Sequence, residues 1–207
     1  SEEGVQVSEK KRRSPRQARA QASVEAILEA GFQILEHEGE GALNTNLIAQ
    51  RAGVSIGTLY QYFSSKEEIL AELGERHARA IRDRIADILI TAPEQSSVRA
   101  IIRALMTGGD GSPATRALLS EALIRHKGES VLSTHHLAFL DSISGRAEFR
   151  FPLSPEAAFV LTHGAICLLR AAAAEPELAL DRDKLEDELV RMMESYLAAL
   201  SLPASAS

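Results

Sequence analysis

"RAGVSIGTLYQYFSSK", residues 51–66, crowds two glycines, three serines, a threonine and two tyrosines between short apolar anchors. The stretch is too broken for ordinary helical core, but two short helices meeting at a tight turn account for it. Thr45 is positioned to cap a helix over 46–52 that Gly53 ends, and Ser55 to cap another over 56–63. A helix-turn-helix needs a small residue where the helices touch, a turn residue that tolerates positive φ, and apolar anchors on its second helix. Ala49 and Gly53 meet the first two needs, and Val54, Leu59 and Phe63 the third. Ile56, Gly57, Thr58, Tyr60, Gln61 and Tyr62 are then left on the outer face. Small residues there permit close approach, and hydroxyls and an amide bond phosphates or base edges.

An αα-hairpin whose glycines are merely loop residues is the plainer reading of an Ala-x-x-x-Gly pair. It does not require the cation Lys66 at the next helix start, nor the run Lys10, Lys11, Arg12, Arg13, Arg16 and Arg19, which has no acid between Lys10 and Arg19. Together these features favour DNA binding. The run alone reads equally as a solvated tail or as an arm that contacts phosphate.

The wider sequence is consistent with such a module on an all-α chain. It has 207 residues, of which 45% are hydrophobic, mostly Ala, Leu and Ile, with 4% aromatics and no Trp. The single cysteine, Cys167, excludes an intramolecular disulfide framework and a Cys-rich zinc site, so no metal or cofactor is expected. No apolar run approaches a membrane span and no export signal is seen, so a cytoplasmic protein without membrane contact is expected. The net charge of -6 is polarised, with the basic run near one end and acids dominating residues 175–194.

Apolar periodicity and breakers divide the chain further. Residues 1–18 read as a disordered basic arm, 19–65 as the helix-turn-helix domain, 66–202 as a larger helical domain and 203–207 as a disordered tail. Val24, Ile27, Leu28, Ile34 and Leu35 stripe the first helix. Ser64 or Ser65 caps a long fourth helix with Glu67 and Glu68 in its first turn. Five more helices are expected over 96–107, 114–126, 130–144, 155–174 and 182–200.

"TNLIAQRAGVSIGTLYQYFSSKEEIL" resembles the DNA-binding signature of the tetracycline-repressor (TetR) family of bacterial transcriptional regulators. The resemblance covers residues 20–73 specifically. It implies an all-α homodimer whose three-helix head reads a palindromic double-stranded DNA operator, and whose C-terminal domain binds a small effector that releases the DNA. It further implies that Thr45 meets phosphate at the start of the second helix, and that Thr58, Tyr60 and Tyr62 touch phosphates or bases. Lys66 would hold phosphate, Gln61 and Gly57 would face base edges, and Ser55 would cap the recognition helix. Ile56 departs from the basic or polar residue many members carry, which removes one usual contact or replaces it with an apolar one. Asn46 also stands where relatives differ, so its part in DNA binding is open.

A ligand-responsive repressor is the expected function, with a DNA-binding regulator that takes no ligand, or an activator, as the alternatives. The dimer is assigned to the last two helices, where Gly164, Ala165 and Ala172 allow close approach. Candidate effector contacts are His77, Met106, Arg125, His126, His136, Phe139, His163 and Arg170, polar or bulky groups on otherwise apolar faces. Each has a plain alternative as a core or interface residue. No nucleophile elbow, phosphate loop or paired carboxylates suggest an enzyme.

Overall fold

The computed structural model describes residues 15–91, 94–128, 133, 136, 137 and 154–200. Among these, eight α-helices follow one another without a strand: α1 Pro15–Glu38, α2 Thr45–Ala52, α3 Ile56–Tyr62, α4 Lys66–Thr91, α5 Glu94–Thr107, α6 Pro113–Lys127, α7 Pro155–Ala174 and α8 Arg182–Leu200. The all-α reading holds. Lys10, Lys11, Arg12, Arg13, Phe139, the tail 203–207 and most of the helix expected over 130–144 lie outside the described residues. Residues 15–18, assigned above to a disordered arm, are instead the first turn of α1, which opens on Pro15. A helix tolerates proline there because the first N–H groups have no intrahelical partner.

The chain divides into two compact units, Ser1–Ile69 and Leu70–Ser207, so the division falls one turn inside α4. In the first unit α1 packs mainly on α2, and α2 on α3. Ile27, Ile34, Ile48, Leu59 and Ile69 are fully buried, each from a periodic apolar position. α2 and α3 have eight and seven residues, too short to hold helical structure alone, so this burial is what keeps them folded.

In the second unit α5 packs against α8 and α7, around a cluster of Ile102, Ala165, Leu189, Val190 and Met193. Glu186 of α8 is buried and accepts from Arg99 Nη1 at 3.0 Å and Arg103 Nη2 at 2.6 Å, both from α5. Arg103 foremost, with Arg99, holds its carboxyl below the ordinary glutamate value despite burial. Two glycines permit close approaches. A Cβ on Gly74 of α4 would lie 2.5 Å from the Leu119 carbonyl of α6. Gly109, at φ +81°, leaves space for the His77 ring, whose Nδ1 would be 2.2 Å from a Cβ there.

α7 corrects the expectation about membrane spans, being long and apolar enough to cross a membrane by length and composition. Only 17% of its most apolar stretch is buried, and Phe159, Val160 and Leu168 are exposed. Within it, Ala165 fills the subunit's own core, whereas Gly164 faces open space.

Candidate nucleic-acid interface

The turn between α2 and α3 is built as the glycine requires. Gly53 ends α2 at φ 66° and ψ 27°, a left-handed conformation that costs other residues a Cβ clash. Its N–H donates to the Ala49 and Gln50 carbonyls, and Val54 N–H returns to Ala49 O at 3.1 Å, closing the helix end. Ala49 and Leu59 are buried behind the turn.

The caps fall partly elsewhere than expected. Asn44, not Thr45, caps α2: its Oδ1 accepts from Leu47 N–H at 2.9 Å, and its Nδ2 donates to Ala42 O at 3.1 Å. The run "NTN" offers three residues of similar capping strength, and only the backbone turn selects among them. Thr45 is thereby the first helical residue, and its hydroxyl lies 3.1 Å from that of Tyr60 on α3.

Ser55 caps α3 as expected, its Oγ accepting from Thr58 N–H at 3.0 Å and bonding Thr58 Oγ1 at 2.8 Å. Ser65 Oγ accepts from Glu68 N–H at 3.2 Å at the start of α4. Glu68 Oε2 in turn accepts from Ser64 N–H and Oγ, so both serines are used and the carboxylate ties down the α3–α4 link.

With the framework held this way, Asn46, Ser55, Ile56, Gly57, Tyr60 and Gln61 are exposed, while Thr45, Thr58, Tyr62 and Lys66 are half-buried. Ile56 and Tyr60, four apart, share one helical face, Gln61 is exposed on the flank beside it, and Thr45 joins through the Tyr60 hydroxyl. The resulting surface offers hydroxyls, an amide, a bare glycine and an aliphatic tip, with Lys66 the cation at the head of α4. Hydroxyls, amides and ammonium groups of this kind bond phosphate oxygens and base edges. Arg16 and Arg19, three apart, are exposed on the first turns of α1, and Arg51 at the end of α2 pairs with Glu38 at 2.5 Å.

The candidate effector contacts do not gather into one enclosure. His77 is buried beside Gly109; burial first, then the Arg116 charge, push its pKa down, with Asp110 opposing. Met106 packs on the α5–α7–α8 core. Arg125 pairs with Glu121 on its own helix, and His126 is exposed. Arg170 is half-buried. His136 and His163 do come together, ring centres 5.3 Å apart, with Phe159 stacked on His163 at 4.0 Å. Thr162 Oγ1 lies 2.8 Å from His136 Nδ1 and 3.2 Å from His163 Nδ1. Partial burial, then the neighbouring His163, lower the His136 pKa.

Comparison with known proteins agrees with the geometry. Residues 27–73 match the family model described as bacterial regulatory proteins, tetR family. An HTH-type transcriptional regulator, PksA of Bacillus subtilis, is 29% identical over 124 residues, covering 58% of this chain and 60% of its own. A second curated relative, an HTH-type regulator of Xanthobacter autotrophicus, is matched over 45% of its length, so the chain spans about half of these two relatives. A crystal structure of a Rhodococcus transcriptional regulator superposes with a TM-score of 0.60 at 21% identity, covering 87% of this chain and all of that one. The matched head, its capped helix-turn-helix and the shared all-α fold lead to one conclusion: residues 27–73 are a DNA-binding head of the kind found in tetR-family bacterial regulatory proteins, carried on a chain with the all-α fold of the Rhodococcus regulator.

Proposed function

We propose that this chain is a sequence-specific DNA-binding repressor that reads a palindromic operator as a homodimer and lets go when a small molecule binds the second unit. The observation that carries the DNA-binding reading is the outward face of α3, where Ile56, Tyr60 and Gln61 stand exposed on a helix fixed from behind by Leu59 and at its start by Ser55. The role is regulatory rather than catalytic, in keeping with relatives described as transcriptional regulators, and the setting is the bacterial cytoplasm.

Two half-sites require two heads at a set separation. The exposed apolar side chains of α7 and α8, with Leu178 and Leu180 between those helices, support a second copy as the partner. Leu168, Leu178, Leu180 and Met192 also line an open groove of about 280 Å³ on this face. The effector reading rests on a helical unit larger than the head and on the His136–Phe159–His163 group. A regulator without effector, or an activator, is the competing account.

Sedimentation of the protein with a selected inverted repeat tests the assembly: two chains per repeat are expected, and one chain per repeat would overturn the dimer. A thermal-shift screen of metabolites, followed by operator release, tests the effector, because a ligand selective for the folded state raises its melting temperature. A stabilising compound that leaves operator affinity unchanged would contradict ligand-driven release.

A further inference from the structure

We infer that Ile56 reads the 5-methyl group of a thymine in each operator half-site; the inference rests on the operator-binding reading above and specifies part of its sequence preference. The outward groups of α3 differ in what they have left to offer. The Thr58 hydroxyl is tied to Ser55 Oγ at 2.8 Å and the Tyr60 hydroxyl to Thr45 Oγ1 at 3.1 Å, which fixes both close to the protein frame. Ile56 has no polar atom in its side chain, yet it is 38% exposed, while Leu59, one turn on, is fully buried.

Its neighbour Gly57 presents no side chain, and the nearest atom to a Cβ placed there is Ser55 Oγ at 3.8 Å, so the surface beside Ile56 is open. A branched side chain is stiff about χ1, so little freedom is lost when it is seated against a flat partner. Among the four bases only thymine shows an apolar group in the major groove, its C5-methyl. Cytosine carries only a hydrogen at C5, so it offers an isoleucine seated there no methyl group to bury. Ile56 therefore selects thymine over cytosine by the methyl group it buries. Gln61, exposed five residues on, lies about 7.5 Å further along the helix axis and about 140° round it, so it stands apart from Ile56.

The test begins with an operator selected from random duplexes by the full-length protein. Each thymine of one half-site is then replaced in turn by deoxyuridine, which deletes only the methyl group, and affinity is measured by anisotropy at fixed salt. One position per half-site should weaken binding by about four-fold, the effect of one buried methyl. Ile56→Ala should bind the parent operator more weakly and lose the sensitivity at that position, whereas Ile56→Val should retain it. Circular dichroism shows whether both variants keep the helical fold. If no thymine is sensitive, or if Ile56→Ala stays as sensitive as the parent, the inference is overturned while operator binding stands. If no duplex is enriched at all, the DNA-binding reading falls, and the inference falls with it.

Discussion

The hydroxyls of Thr45 and Tyr60 lie 3.1 Å apart, joining the first residue of α2 to the exposed face of α3. This bond sets where both groups stand before DNA arrives. Tyr60→Phe and Thr45→Ala should each weaken operator binding while changing stability by less than about 1 kcal/mol, because the bond is exposed. The double variant should lose little more affinity than the worse single one. Additive losses in the anisotropy titrations would mean that the two hydroxyls act independently.

Lys66 opens α4, four residues after α3 ends at Tyr62. If it neutralises a phosphate, Lys66→Ala should lower the slope of log affinity against log salt by about one for each protomer. Tyr62→Phe should weaken binding and leave that slope unchanged, since no charge is removed. An unaltered slope for Lys66→Ala would remove the phosphate contact from the account.

Gly109 combines φ +81° with a His77 ring where a side chain would begin. Gly109→Ala should cost about 2 kcal/mol or more in denaturant titrations, through backbone strain and the clash together. Coupling it with His77→Ala should recover the clash part and leave the strain. Equal stability of Gly109→Ala and the parent would contradict the packing.

His77 also predicts a pH dependence. Its folded pKa lies below the ordinary 6.5, so below about pH 6.5 the unfolded chain binds a proton that the folded chain does not. Stability should therefore fall as the solution is acidified from neutrality through that value, and His77→Phe should flatten the decline. The same slope in that variant would assign the acid sensitivity to other groups.

The head was legible because its instructions are local. Gly53 at a left-handed turn, Ser55 three residues before the N–H it accepts from, and the burial of Ala49 and Leu59 at periodic helix positions all follow from spacing within a few residues. The α2 cap was not: Asn44, Thr45 and Asn46 have similar capping strength, and the turn through Ala42 and Leu43 decides for Asn44. The start of α1 was placed too late because Pro15 resembles a breaker, although it suits a first turn. The second unit was least legible, since its key relations are between distant residues. His77 against Gly109, Gly74 against Leu119 and Glu186 between Arg99 and Arg103 leave no periodic mark in the sequence. For the same reason, histidines that look alike in the sequence divide into a buried His77, a paired His136 and His163, and an exposed His126.

The central claim is that the exposed face of α3 reads a defined DNA sequence. Genomic DNA selection with the purified full-length chain, followed by anisotropy of the enriched fragments at several salt concentrations, measures it directly. The account predicts a recurrent inverted repeat, bound far more tightly than scrambled duplex at every salt concentration, with the preference lost in Gln61→Ala. Equal, strongly salt-dependent binding to repeat and scrambled duplex alike would contradict it.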